Sequence, residues 1–244
     1  MSEIKNFFLD LIFPRHCLGC NQIMMDKTQS YLCSICFSTI PVKGDFACAF
    51  CGAPVVAGKT CPFCIKGRNL DRLLVAASYE FPLVEKILKT MKYRFVKSLA
   101  EDSAKLMTKY FENKISVMRP FPFASLLPLA VPVPLHYRRL NWRGFNQSEI
   151  IAQKIAEHFE WPFDPDILKR TKNPKPQAEI DNKKTRFENV SGIFTCQKPE
   201  IVSGRQILLI DDISTTGSTL EDCARALKIS GAKEVIGFVM ARNR

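Results

Sequence analysis

The sequence has no long apolar run and comparatively few acidic residues. None of its stretches approaches the roughly 18 consecutive apolar residues that identify a membrane-spanning helix. The N-terminus carries Glu3, Lys5 and Asp10 and shows no small-residue cleavage site, so no secretory leader is expected. These absences exclude a membrane-embedded class and lead us to expect a cytoplasmic protein in a reducing compartment.

The shortage of acidic residues gives the chain a strong positive charge. It has 24 Asp and Glu against 35 Lys and Arg, a formal net charge of +11. Such a charge favours polyanionic partners, but a small substrate with several phosphates would also benefit from it. Net charge alone therefore leaves a nucleic acid and a phosphorylated small molecule both open.

Cysteine is scarce after the first 64 residues, where only Cys196 and Cys223 remain. The other eight form four C-x-x-C pairs, which in a reducing compartment favour metal ligation over disulfides. Two such pairs close one tetrahedral site without an open position, so we expect two structural Zn²⁺ ions, with iron as the alternative. Which pairs share a metal is left open by the spacing. The predicted ligands are Cys17, Cys20, Cys33, Cys36, Cys48, Cys51, Cys61 and Cys64.

The composition predicts two parts, a zinc module with an N-terminal helix at 1–66 and an α/β domain at 67–244 whose core covers about 120–244. The N-terminal helix is expected at 4–12. Predicted strands of one continuing sheet lie at 73–81, 126–133, 167–171, 193–196, 207–210 and 234–242, with helices at 84–91, 99–111 and from Asn146. A long loop is expected at 172–190.

Residues 206–220 are the most informative stretch. An apolar run at 207–210 predicts a buried strand, two carboxylates follow it, and a Ser/Thr/Gly cluster leads into a helical pattern. At the carboxyl edge of a parallel sheet, such a turn binds phosphate through hydroxyls and free N–H groups, while carboxylates accept hydrogen bonds from a diol. The pattern predicts a site for a ribose 5-phosphate. Its residues are Asp211, Asp212, Thr215, Thr216, Gly217, Ser218 and Thr219.

Two basic segments accompany this stretch. Arg138, Arg139, Arg143 and Gly144 precede the helix that begins near Asn146, and guanidinium groups suit a pyrophosphate. The other segment, at 86–97, is either a solvated helix face or a surface for single-stranded DNA. Its candidate residues, together with one nearby tryptophan, are Lys86, Lys89, Lys92, Tyr93, Arg94, Phe95, Lys97 and Trp142.

Residues 211–219 closely resemble the 5-phosphoribosyl 1-diphosphate (PRPP) motif of type I phosphoribosyltransferases. Together with the cysteine module and residues 143–149, they make the chain similar to the ComF/GntX family, in which a double zinc ribbon precedes a phosphoribosyltransferase-like domain. The resemblance implies that PRPP binds with Mg²⁺. It also implies that Asp211 and Asp212 hold the ribose hydroxyls, that 215–219 hold the 5′-phosphate, and that the loop containing Gln177 and Arg186 closes over the ligand.

The same resemblance implies a part in DNA uptake during natural transformation, with competence proteins such as a DNA-translocating helicase as partners. Two function classes stay open. One is an enzyme that transfers phosphoribose to an unidentified acceptor and releases pyrophosphate. The other is a competence factor whose pocket binds PRPP or the 5′-phosphorylated end of single-stranded DNA. Purine-salvage relatives carry an aspartate where this chain has Thr215, which argues against that substrate class. Charge reversal of Lys92 and Arg94 is expected to weaken DNA binding but not PRPP binding.

Overall fold

The computed structural model describes residues 14–24, 30–42, 46–117, 127–170 and 192–243. The helix predicted at 4–12 lies outside these ranges, as does the loop predicted at 172–190 with Gln177 and Arg186. Within the described ranges, no helix combines the length and the apolar character that crossing a membrane requires.

Strands and helices alternate after a Cys-rich N-terminal module, as the sequence predicts for an α/β domain. In chain order the elements are α1 (Ser34–Thr39), a 3-10 turn (Val56–Gly58), β1 (Arg72–Ser78), α2 (Pro82–Tyr93), α3 (Ser98–Val117), β2 (Leu129–Pro132), α4 (Tyr137–Arg143), α5 (Gln147–Phe159), β3 (Leu168–Arg170), β4 (Phe194–Cys196), α6 (Pro199–Val202), β5 (Gln206–Ser214), α7 (Ser218–Ile229) and β6 (Glu234–Arg242).

Four of the strands form a parallel sheet in the order β1, β6, β5, β2. Side chains of β5 alternate between two cores. Leu208 and Ile210 pack with α2, α3 and α5 on one face, whereas Ile207 and Leu209 pack with α7 on the other. Because both faces are covered, the central strands are apolar on both sides. Ligand-binding groups are therefore confined to the strand ends.

Strand β4 differs from the sequence-based expectation. We expected 193–196 to continue the main sheet, but Phe194–Cys196 pairs antiparallel with Leu168–Arg170 in a separate two-stranded sheet. A short apolar pattern predicts a strand but does not predict which strand it pairs with, because tertiary packing decides the partner. Phe194 is buried in the core on the α7 side. The small sheet therefore covers that face of the domain instead of widening the parallel sheet.

The Cys-rich module packs closely on the α/β domain. Leu32 and Ile40 are buried in the same core as α2 and α3, and Ala49 is buried in the core on the α7 side. Ser30 Oγ also donates a hydrogen bond to Asp102 Oδ2 of α3 at 3.0 Å, in a buried position. The predicted boundary at 66/67 therefore separates two segments whose side chains share their cores, and it stays a prediction as a domain division.

Candidate functional site

The eight predicted metal ligands form two groups of four. One contains Cys17, Cys20, Cys33 and Cys36, and the other contains Cys48, Cys51, Cys61 and Cys64; within each group all sulfurs lie within 4.8 Å of one another. Cys20 and Cys33 sulfurs are 3.8 Å apart and those of Cys51 and Cys61 are 3.6 Å apart. A tetrahedral zinc with Zn–S bonds of about 2.3 Å has sulfurs about 3.8 Å apart, so both groups fit the ion. Consecutive C-x-x-C pairs share each site, which answers the question the spacing left open.

Backbone N–H groups prepare these sulfurs for ionisation. The N–H of Cys33 donates to the Cys17 sulfur at 3.3 Å, and that of Cys61 donates to the Cys48 sulfur at 3.5 Å. Burial raises the pKa of Cys17 and of Cys48, but these N–H donors outweigh it and hold both pKa values at about 6. Burial and the neighbouring sulfurs raise the pKa of Cys36 to about 12. A dication would relieve that mutual repulsion and ionise all four thiols.

The β5–α7 turn has the strand, polar turn and helix that the sequence predicts. Gly217 adopts φ +81°, which favours glycine, and it lies against the zinc module, where a Cβ atom would make ordinary contact with the Ala49 carbonyl oxygen at 3.5 Å. Four hydroxyl side chains around it are exposed. They belong to Thr215, Thr216, Ser218 and Thr219. The turn thus presents hydroxyls and the N-terminal N–H groups of α7 to one ligand.

Asp211 is half-buried in the C-terminal half of β5, on the side of this turn. Its Oδ1 accepts hydrogen bonds from Ser148 Oγ at 2.7 Å and from the backbone N–H of Asp212 at 2.8 Å. Burial, followed by the negative charge of Asp212, raises the pKa of Asp211 to about 7. The carboxylate is therefore held in place on one oxygen and titrates near neutrality.

Asp212 points to the opposite face of β5 and is enclosed by other side chains. Lys92 Nζ lies 3.1 Å from its Oδ1, and Gln147 Nε2 donates to its Oδ2 at 3.1 Å. Gln147 in turn accepts a hydrogen bond from Arg143 Nη1 at 2.5 Å. Burial lowers the pKa of Arg143, and the charge of Asp212 opposes that effect. Lys92, Asp212, Gln147 and Arg143 thus form one polar network, which we call the Lys92 network.

The sequence did not identify Gln147 or Ser148 as site residues. Both occupy the first turn of α5, next to Asn146, whose side chain accepts from the Ser148 N–H and donates to the Val133 carbonyl. The sequence predicts a helix start near Asn146, and the two polar residues after it were the available signal. Polar side chains in the first turn of a helix at the carboxyl edge of a sheet lie close to any ligand there.

The basic residues at 86–97 do not form one solvated surface. Lys86 Nζ donates to the Leu18 carbonyl at 2.7 Å, and Lys89 pairs with Glu85 on the same helix at 2.7 Å. Lys92 lies beside Asp212, so it is not part of a solvated helix face, and the expectation that its charge reversal spares PRPP binding stays a prediction. The helix period explains the difference, because Lys92 lies four residues after the buried residue Leu88 and therefore on the same face of α2, toward β5.

Aromatic side chains next in the chain to Lys92 and Arg143 form an exposed surface, which we call the aromatic mouth. Tyr93 is 70% exposed and Trp142 is 66% exposed, and the Phe95 ring meets the Trp142 ring edge-on with centroids 4.6 Å apart. Arg94 and Lys97 are exposed beside them. The mouth therefore combines cations with open ring faces, as a single-stranded nucleic acid surface does.

The predicted pyrophosphate segment is a short helix instead of an open loop. His136 Nδ1 accepts from the Arg138 N–H at the start of α4, and Gly144 ends the helix with φ +79° while its N–H donates to Leu140. The exposed residues Arg138 and Arg139 lie on this helix, and Arg143 joins the Lys92 network. A glycine in the left-handed region is the usual end signal of a helix, and it was present in the sequence.

The second zinc site borders the β5–α7 turn, the predicted phosphate turn. Arg242, at the end of β6, donates hydrogen bonds to the carbonyls of Cys48, at 2.9 Å, and of Ala49. The guanidinium of Arg68 lies 4.5 Å from the centre of the Phe50 ring in the same knuckle. The second zinc site, β6 and the phosphate turn are therefore linked through Cys48 and the two residues that follow it, Ala49 and Phe50.

Comparisons with known proteins agree with this architecture. A model of the double zinc ribbon domain matches residues 8–65, and a model of the phosphoribosyl transferase domain matches residues 146–244. The chain is therefore a double zinc ribbon joined to a phosphoribosyltransferase-like domain. Its resemblance to the ComF/GntX family agrees with the names of its relatives, which are competence and DNA utilization proteins.

Three relatives cover most of the chain. The DNA utilization protein YhgH of Escherichia coli K12 is 28% identical over 87% of this chain and 90% of its own length. Competence protein F of Haemophilus influenzae is 27% identical over 93% and 95%, and competence protein ComFC of Bacillus subtilis is 28% identical over 89% and 86%. Among solved structures, glutamine PRPP amidotransferase from B. subtilis with ADP and GMP is 17% identical with a TM-score of 0.39. The match covers 59% of this chain and 26% of that one, and it is too distant to carry an argument.

Proposed function

We propose that the β5–α7 turn binds the phosphorylated ribose of PRPP, or of the 5′-phosphorylated end of single-stranded DNA, and that the protein acts in the uptake or use of DNA. The observation that carries the proposal is the position of an exposed hydroxyl turn beside a half-buried carboxylate, Asp211, at the carboxyl edge of a parallel sheet. The names of the relatives support the connection with DNA.

Three groups of residues support this ligand class. Thr216 and Ser218 present hydroxyls 3.1 Å apart at the start of α7, where helix N–H groups favour a phosphate. Asp211 offers a carboxylate to ribose hydroxyls. Arg138 and Arg139 are exposed on α4, where they would face the remaining phosphates. The loop with Gln177 and Arg186 remains a proposed further contact.

Asp211 also fits a magnesium ion bound together with PRPP. Its half-buried carboxylate supplies the hard oxygen ligands that Mg²⁺ prefers, and this ion usually completes its shell with water and substrate phosphates. When bound, the ion would neutralise charge on the pyrophosphate. The chain's own contribution is to orient the ribose and to hold the phosphates.

We propose a DNA surface at the aromatic mouth, comprising Tyr93, Arg94, Phe95, Lys97 and Trp142. Its rings and cations would contact bases and phosphates without sequence preference. The proposed setting is the cytoplasm, with a DNA-translocating helicase of the uptake machinery as a partner. Lys86 and Lys89 already bond to protein groups and should contribute less than the exposed residues of the mouth.

Calorimetry tests the pocket, and a turnover assay then distinguishes the two function classes. Isothermal calorimetry with PRPP and Mg²⁺ should show binding that weakens by about tenfold to a hundredfold in Asp211→Asn and in Thr216→Ala. Unchanged affinity in both variants would place the ligand elsewhere. Pyrophosphate release, measured with and without 5′-phosphorylated single-stranded DNA, then separates a transferase from a binding protein.

A further inference from the structure

We propose that the two aspartates of the pocket have different roles, and that Lys92 is a ligand-binding residue positioned by Asp212. In this arrangement Asp211 alone accepts the ribose hydroxyls. Asp212 holds the Lys92 ammonium, which binds an anionic oxygen of the pyrophosphate. The inference rests on the proposed binding of PRPP and departs from the expectation that both carboxylates hold the diol.

Asp212 has no free oxygen for a diol. Lys92 occupies Oδ1 and Gln147 occupies Oδ2, and the Asp212 side chain is 3% exposed. A ribose could reach it only if both partners moved, leaving the half-buried Lys92 ammonium and the buried Gln147 amide without their acceptor, which costs free energy. In contrast, Asp211 Oδ2 accepts no hydrogen bond from the residues that the structure describes, and Asp211 is half-buried.

The open side of the Lys92–Asp212 pair is the ammonium. The Lys92 side chain is 26% exposed, against 3% for Asp212, so an approaching ligand meets positive charge first. An ammonium carries three N–H donors. In the described part of the chain Asp212 is the one carboxylate that pairs with it, so two donors are left for a ligand.

The position of the network identifies which phosphate Lys92 would bind. Lys92 and Gln147 approach β5 from the face that packs with α2 and α5, whereas the hydroxyl turn leads into α7 on the other face. Gln147 connects the pair to Arg143 of α4, the predicted pyrophosphate segment. The ligand end near Lys92 is therefore the pyrophosphate, and the 5′-phosphate lies at the turn.

Two ligands that differ only in the pyrophosphate test this assignment. Calorimetry with PRPP and with ribose 5-phosphate should give different results for Lys92→Gln. PRPP affinity should fall about tenfold to a hundredfold, as expected for a lost hydrogen bond to a charged group, while ribose 5-phosphate affinity changes less than twofold. Asp212→Asn should show the same selective loss. Asp211→Asn should weaken both ligands.

Controls separate this inference from charge and folding effects. Lys154→Gln removes the same charge from an exposed ion pair with Glu157 on α5 and should leave both affinities unchanged. The double variant Lys92→Gln/Asp212→Asn leaves no unpaired buried charge, and its PRPP affinity should equal that of either single variant.

Each outcome has a distinct meaning. If Asp212→Asn weakens ribose 5-phosphate as strongly as PRPP, Asp212 holds the diol and the inference is wrong. Equal PRPP affinities of Lys92→Gln and the wild type would also overturn it. If the wild-type protein binds neither ligand nor a 5′-phosphorylated oligonucleotide, the proposed function itself fails.

Discussion

Loss of zinc from the second site should weaken ligand binding at the phosphate turn. The perturbation is Cys48→Ser, which removes a fully buried ligand of that site. A structural zinc contributes about 10–16 kcal/mol in small zinc modules. Because a whole domain is stable by only about 5–15 kcal/mol, the knuckle should unfold without its metal.

The effect should reach the phosphate turn through two contacts. Arg242 loses its carbonyl acceptors at Cys48 and Ala49, and Gly217 loses the backbone that lies against it. Fixing one residue costs about 1–2 kcal/mol, so reordering two turn residues on binding costs about 2–4 kcal/mol. That corresponds to a loss of PRPP affinity between about thirtyfold and a thousandfold.

The assay combines metal analysis, thermal unfolding and PRPP calorimetry. The matched control is Cys20→Ser, which also removes one zinc, but from the site that contacts α2 through Leu18 and Lys86. It should weaken PRPP much less than Cys48→Ser does. A Cys48→Ser protein that contains one zinc and binds PRPP within twofold of the wild type would refute the reasoning.

Three further predictions concern metal, pH and DNA. Metal analysis of the purified chain should find two zinc ions, and one ion, or iron, would contradict the two-site assignment. PRPP affinity should fall up to tenfold per pH unit below about 7, the pKa of Asp211, with this component absent in Asp211→Asn. Since that folded-state pKa lies above the ordinary 3.8, the folded protein binds the extra proton, and stability without ligand should fall as pH rises from about 4 to about 7. Single-stranded DNA binding should weaken with salt at a log–log slope of about −0.7 per phosphate contacted, and Trp142→Ala should cost about 1–3 kcal/mol; an affinity independent of salt would contradict the DNA surface.

The features that the sequence could predict are those encoded within one segment. The apolar run at 207–210, the carboxylates and the hydroxyl cluster lie together in the chain, so strand, turn and helix follow from local pattern. The same holds for the C-x-x-C pairs, whose short turns bring two sulfurs to one metal. In both cases neighbouring residues supply most of the geometry.

The Lys92 network could not be predicted, because its members are distant in sequence. Helical spacing places Lys92 on the buried face of α2, but the partner that it meets there, Asp212, is decided by the packing of α2 against the sheet. The pairing of Leu168–Arg170 with Phe194–Cys196 in a separate sheet could not be predicted for the same reason, because tertiary packing decides which strands pair. The helix at 137–143 is different. There the sequence itself carries the signal, because Gly144 marks a helix end as well as a predicted phosphate contact.

Phe95 provides a physical reason why the pocket and its mouth should not act independently. Its φ of +58° lies in a region that costs a non-glycine residue about 1–3 kcal/mol, and its edge-on contact with Trp142 is worth only about 0.5–1.5 kcal/mol. The conformation therefore persists because α2 and α3 are anchored in the core on both sides of it. The anchored connection holds Phe95 against Trp142 of α4, whose neighbour in the chain, Arg143, belongs to the Lys92 network. A DNA strand at the mouth and a pyrophosphate in the pocket would then approach the same cations, so we expect the two ligands to compete where both reach Lys92 and Arg143.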